Sequence, residues 1–557
     1  MVKCNRQIAF TMNKFTTKQG VLFYSYTTQE EEKQKLDRYL RLLESSGVGK
    51  ILQKHETRAV TGRPQYNVYS MFATVLYGFA KGCWSLRQLE ECCRFDIRFM
   101  YLMNNETPSY VSFCNFINTV IKPDADHIFA AVTARIMKEQ SLLMDDCFID
   151  GTKIEADANK FKFVWKPITF HKRLGEKARN LIRIAGLSEA DDNPEGLITS
   201  AYLADRLREL HDRIMSSNDT DEINRLGKMA ENLEAYLMKA CEYEEKERIC
   251  GPNRNSYYKT DHDATAMCLK RDYYSGLGSN MHAAYQVQSA VCCGYICSYA
   301  VTQDRSDTYC FIPTLERFRK MHGFYPSRVC ADAGYGCLDN YRFCDDNGIT
   351  AFIKYMSWEG ESTGRRPAVY ELNDDDTITC LGNRKGQEVS IPDRHPKKAG
   401  SVFYRVDGCT GCDFMPYCRQ FMTEKVADFK IFEVNRDFIR YRQQARDLLL
   451  SVEGIEMRVN RSCQVEGCFG IMKQDFSYDR FRRTGLERVA TELMLTALGM
   501  NIRKYMRNVA APKVWTAPEG TVPQVFKKPS AKRLANRIAK KKPLQPNEQA
   551  RKGYKYN

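Results

Sequence analysis

Two short apolar runs in this chain each end on an aspartate with a glycine close behind: Phe148-Ile149-Asp150-Gly151 and Val329-Cys330-Ala331-Asp332-Ala333-Gly334. A run of this length bounded by turn residues reads as a buried strand of an α/β layer. An acid at its end is delivered to the sheet edge, where loops build sites. A third carboxylate, Glu466, lies in Gln464-Val465-Glu466-Gly467-Cys468-Phe469-Gly470-Ile471-Met472-Lys473, and helical periodicity puts Lys473 on its face. Three carboxylates drawn together repel one another and raise each other's proton affinity until cations neutralise them. Hard divalent cations prefer carboxylate oxygens, and two of them can clamp the attacking and leaving oxygens of an in-line phosphodiester displacement. Taken singly, an Asp before Gly at a strand end is ordinary turn chemistry. The ordered trio with its flanking residues is what points to a site.

With these motifs the chain resembles the DDE transposases of bacterial insertion sequences, and more narrowly the group with an InsH-like helical N-terminal domain. The resemblance runs from roughly Arg63 to Tyr505 and rests on the segment Asp150 to Asn159, on Ala331-Asp332-Ala333-Gly334-Tyr335, and on the Glu466 helix, in the family's order. It implies an RNase H-like fold on which Asp150, Asp332 and Glu466 form a catalytic triad holding Mg2+ or Mn2+. It also implies double-stranded DNA as partner, both the element's terminal inverted repeats and the target, with a homodimer working on it. Related transposases place an arginine four residues before the glutamate and a tyrosine three before that. Here those positions are Ser462 and Val459, with Arg461 and Arg458 beside them. The departure leaves the triad intact and bears on the helix face that would meet DNA, where Arg458, Arg461 and Lys473 are the candidates for phosphate contact.

The net charge of +15 is unevenly spread. From Lys527 onward eleven Lys or Arg, among them Lys528, Lys532 and Arg533, face one acid, Glu548, so this tail supplies +10 of the total. Basic tails of this kind bind phosphate without sequence preference, or stay solvated and silent. The start of the chain has no apolar stretch behind a basic opening, and no segment approaches bilayer length. A cytoplasmic, nucleoid-associated protein with no membrane partner is expected. Twenty-two cysteines without a secretory signal argue for reduced thiols. One cluster stands out, Cys409-Thr410-Gly411-Cys412 with Cys418 after it and Cys380 before. Such spacing fits either a closed tetrahedral zinc site or ordinary buried thiols.

The expected architecture is α/β: an RNase H-like core carrying a helical N-terminal domain, a helical hairpin insertion and a β-rich, cysteine-containing insertion. Residues 1–140 read as the helical block, which the resemblance assigns to end binding. Within it Val68 to Gly82 follows helical spacing with a glycine stop, Ser85 and Gln88 have capping-box spacing, and another helix covers Tyr110 to Ile121. The core takes 141–355 and 431–510, interrupted at about 171–250 by two leucine-spaced runs. These predict antiparallel helices along a coiled-coil seam, suited to dimerisation or merely inserted. Tyr285 to Val301 predicts a hairpin turning at Gly294. Residues 356–430 form the β-rich insertion, and 511–557 the basic tail. Asp157, Asp261, Asp263 and Asp307 read as second-layer or structural acids. There is no Walker loop, dinucleotide fingerprint, HExxH helix or nucleophile elbow. Three functions fit: a transposase that cuts and joins DNA, an RNase H-like nuclease without strand transfer, or a non-catalytic DNA-binding relic.

Overall fold

The computed structural model describes residues 30–56, 65–188, 196–269, 281–362, 369–373, 375–390, 400–418 and 428–510. The chain divides into two units, Met1–Met506 and Arg507–Asn557. Everything below concerns the first.

The apolar run Cys147-Phe148-Ile149 is fully buried and forms the front half of strand β1, Asp146–Glu155. The chain then turns into β2, Phe163–Trp165, which pairs with β3, Ser256–Tyr258, and with no other described strand. Among the described residues three helices stand between them, Ile168–Ile184, Ser200–Ser216 and Thr220–Cys250. The leucine-spaced runs do meet as an antiparallel pair, with Leu203, Leu210, Leu226 and Leu233 buried at the seam. The first helix was not foreseen as part of it, yet it packs Leu174, Ala178 and Ile182 onto the same cluster. This closes a small core that an isolated two-helix hairpin lacks.

The main sheet resumes with β4, Thr265–Cys268, β5, Met281–Cys292, and β6, Tyr295–Thr302, the last two forming the expected hairpin through Gly294. A helix, Phe311–His322, stops at left-handed Gly323 and returns the chain to β7, Arg328–Ala331. Another, Leu338–Asp346, leads to β8, Thr350–Ile353. The sheet runs β4-β5-β1-β7-β8, with β6 also on β5. β1, β7 and β8 are parallel, while β5 is antiparallel to β1 and to β6. Five antiparallel strands follow: β9, Tyr370–Leu372, β10, Ile378–Cys380, β11, Lys385–Glu388, β12, Ser401–Asp407, and β13, Phe429–Asn435. They enclose a core of their own around Ile378, Tyr404, Val406, Phe432 and Val434.

Two local expectations need correction. β1 does not end on Asp150: it continues to Glu155 because β5 pairs with it without a break from Phe148↔Val291 to Glu155↔Ala284. Pairing with a long neighbour, not local apolarity, sets the strand's end. Ser85 does sit at the start of helix Leu86–Phe95, but its side chain makes no cap hydrogen bond.

The N-terminal helices are bound to the core by helix packing. Val68–Lys81 is apolar almost all round and buried, capped by Asn67, whose side chain accepts from the amides of Tyr69 and Ser70. Across it lies Leu486–Ala510, whose Asn501 donates to Ile296 O at 2.7 Å and accepts from Ile296 N at 2.9 Å, satisfying the free edge of β6. The two helices touch at Gly499, where an added Cβ would stand 2.7 Å from Phe79 C and 2.8 Å from Ala80 N. These are backbone atoms of a packed helix and cannot step aside. Gly499→Ala is therefore expected to destabilise the protein by about 1–3 kcal/mol, the usual cost of overpacking, read as a lower urea midpoint. An unchanged midpoint would mean the helices separate at no cost.

Candidate active site

Asp150 and Asp332 are brought level by strand register. β1 and β7 run parallel with Phe148 opposite Cys330, so each aspartate lies two residues past that pair. Period two in a strand then aims both at one face. Each is fixed by an amide: Gly151 N donates to Asp150 Oδ1 at 2.8 Å, and Gly334 N to Asp332 Oδ1 at 2.8 Å. Glu466 comes from a helical segment that begins at Val452 and is laid across the sheet by two clamps. Gly294 N donates to Gln464 Oε1 at 2.7 Å, and Lys473 Nζ donates to Lys153 O at 3.0 Å.

The three carboxylates meet at one guanidinium. Arg461 Nη2 lies 3.2 Å from Asp150 Oδ2 and 3.9 Å from Asp332 Oδ2, and its Nη1 lies 3.8 Å from Glu466 Oε1. This bears on the sequence departure noted above. Residues Ser462–Glu466 form a π-helical turn, which closes through i→i+5 bonds instead of i→i+4. The wider turn brings the residue five positions before Glu466 to the place that a regular helix would give to the residue four before. Arg461 thus reaches the acids where Ser462 would otherwise stand. Arg458 lies one helical turn further back, its Nε bonded to Gly454 O at 3.2 Å.

Burial is graded across the trio: side-chain exposure is 18% for Asp150, 42% for Asp332 and 59% for Glu466. Burial pushes the Asp150 carboxyl up to about 6, opposed by Arg461 and by the Gly151 amide, and reinforced by the negative charges of Asp332 and Asp307. Asp307, read from sequence only as a second-layer or structural acid, stands directly behind the site. Gln288 Nε2 donates to it at 2.9 Å, Gln286 Nε2 also donates to it, and Tyr335 Oη donates to Gln288 Oε1 at 2.5 Å. Gly151 leaves room for this arrangement, because a Cβ there would displace both glutamine amides and the Asp307 carboxylate. The glutamines were overlooked in the sequence. Their signal was two amides at alternate positions of a long strand that is buried over nearly its whole length.

Among the described residues no group of three or more His, Cys, Asp or Glu side chains stands ready to hold a metal ion. For the acids the donor set still fits a hard divalent cation, since three carboxylates already converge on a single positive group and one resists ionising. The thiols give no such support for zinc. Cys380 and Cys412 both border Gly382, but Cys418 Sγ takes a hydrogen bond from Lys430 Nζ at 3.1 Å and Cys409 Sγ faces Val406 O at 3.6 Å. Lys527, Lys528, Lys532 and Arg533 lie outside the described residues.

Two family models match the chain. One, a transposase DDE domain, covers residues 379–506 and so includes Arg461, Glu466 and Lys473; the other, a transposase domain (DUF772), covers 25–119 in the helical block. The two matches, to different parts of the chain, support a DDE-type transposase of an insertion sequence. Asp150 and Asp332 fall outside both matched stretches and are tied to the third acid by geometry alone. No curated protein and no solved structure matches the chain. Among the described residues no helix is long and apolar enough to cross a membrane.

Proposed function

We propose that this transposase cleaves the ends of its insertion sequence and joins them to target DNA, with Asp150, Asp332 and Glu466 as ligands of Mg2+ or Mn2+ on an RNase H-like core. The observation that carries the reading is the convergence of three acids, from two parallel strands and one distant helix, on a single guanidinium at 3.2–3.9 Å. A divalent ion bound there supplies charge neutralisation to the attacking and leaving oxygens. The rest is work for the chain's own residues. Asp332 and Glu466, the more exposed pair, face the approaching backbone. Asp150 is held from behind by the Gly151 amide, with Asp307 clamped by Gln286 and Gln288 beside it. Arg461 balances the acids in the metal-free protein, and with Arg458 and Lys473 it forms a cationic strip suited to the phosphates flanking the cut. The helical block would bind the element's ends, and a homodimer would bring two ends together.

The test is a cleavage assay on a linear duplex carrying the terminal inverted repeat, with a supercoiled target and a magnesium titration. Nicked ends and joined products that appear with magnesium and vanish with chelator are expected. Cleavage without joined products would replace this reading with the plain nuclease, and end binding without cleavage would leave a relic.

A further inference from the structure

β1 leads from the acids into a segment whose side chains the cleavage chemistry does not use. Residues 160–173 read Lys160-Phe161-Lys162-Phe163-Val164-Trp165-Lys166-Pro167-Ile168-Thr169-Phe170-His171-Lys172-Arg173, with no acid among them. Phe161, Phe163 and Trp165 occupy alternate positions and are 81%, 46% and 61% exposed, and Phe170 beyond them is 63% exposed. Period two puts Phe163 and Trp165 on one side of β2, and Phe161 lies in the turn that leads into the strand. The edge of Trp165 meets Phe163, with ring centroids 5.6 Å apart. β2 pairs with β3 and with no other described strand, so the ribbon offers this face outward. Its backbone is firmly held: Lys259 N donates to Lys162 O and Lys166 N to Asn255 O, each at 2.8 Å.

Four large exposed rings within ten residues call for a partner. Protein interfaces are depleted in lysine, whereas here Lys162, Lys172 and Arg173 are exposed alongside the rings. Cations interleaved with aromatic faces are the composition of a stacking platform for nucleic acid. Duplex DNA shows a protein base edges in its grooves, to which a phenylalanine ring offers only apolar contact such as that with a thymine methyl. Unpaired bases show their faces. We infer that the β2–β3 ribbon binds single-stranded DNA by stacking bases on Phe161, Phe163 and Trp165, with the neighbouring lysines on its phosphates. This deepens the reading above and rests on it only for the source of the strand, a stretch of the element's end that is unpaired during cutting. The platform follows the strand that carries Asp150, six residues after Glu155, where that strand ends.

The full chain is tested in chelator, so that no cleavage enters the readout, by anisotropy with a labelled oligothymidylate and with a blunt duplex of equal length. The doubly substituted Phe163→Ala, Trp165→Ala protein should bind the oligothymidylate about tenfold or more weakly and the duplex almost unchanged. Trp165→Phe, which keeps a ring, should retain most of the affinity. Since these side chains are exposed, the unfolding midpoint should not move. Equal losses on both probes, or no loss on either, would overturn the inference. So would a drop in sedimentation coefficient of the substituted protein without DNA, which would make the face a contact between protein copies. A protein that fails the cleavage assay yet passes this one would lose the proposed chemistry and keep the platform.

Discussion

Replacing Asp332 with asparagine is expected to abolish magnesium-dependent cleavage and leave binding to end-containing DNA intact. Asparagine is isosteric and keeps the Oδ1 that accepts from Gly334 N at 2.8 Å, so the turn after β7 should survive. What disappears is an anionic oxygen 3.9 Å from the group that gathers all three acids. Losing one carboxylate ligand of a catalytic divalent ion removes several kcal/mol of charge stabilisation in the transition state, on the order of a thousandfold or more in rate. Binding rests on phosphate contacts made elsewhere. Gel shift and cleavage on one duplex measure both quantities. Full cleavage by the asparagine protein would remove Asp332 from the active site, and joint loss of binding and cleavage would make it a folding residue.

The acids were readable because each closes or follows a pattern that local chemistry produces. Val329-Cys330-Ala331 is a buried strand wherever it is placed, and Asp332 then has to lie at its end. The helical spacings of 203–214 and 223–240 likewise led to helices. What could not be read depends on residues distant in sequence. Asp150 lies inside β1 because of β5, more than 130 positions later. Arg461 reaches the site because one π turn widens the helix by a residue, and nothing in Arg461-Ser462-Cys463-Gln464-Val465 marks that turn. Asp307 joins the acids only through two glutamines on another strand. The thiols have the spacing of a metal knuckle, and the contact that Lys430 of β13 makes with Cys418 could not be read from that spacing. The triad's catalytic role is an inference from geometry, and the asparagine experiment decides it.

Asp150 also makes the site a source of pH-dependent instability. Its carboxyl ionises near 3.8 in the unfolded chain and at about 6 in the fold, chiefly because burial disfavours the charged form. A raised pKa means that the folded state holds this proton more tightly. The resulting stabilisation is complete below the unfolded value and is lost as pH rises through about 6. A shift of about two units corresponds to about 3 kcal/mol, which the metal-free protein forfeits above that pH. Asp150→Asn cannot ionise. With chelator present it should match the natural protein in urea midpoint below the unfolded pKa, gain on it as pH rises from there to about 6, and level off above that at up to about 3 kcal/mol, while losing cleavage. A difference that stays constant with pH would show that Asp150 does not titrate in this window. Adding magnesium extends the argument. If the ion binds where the acids converge, it stabilises the ionised carboxylate and should raise the natural protein's midpoint most at alkaline pH, where the cost is greatest. The Asn protein, with no charge to neutralise at that position, should respond least. A protein in which magnesium raises both midpoints equally would hold the ion somewhere other than beside Asp150.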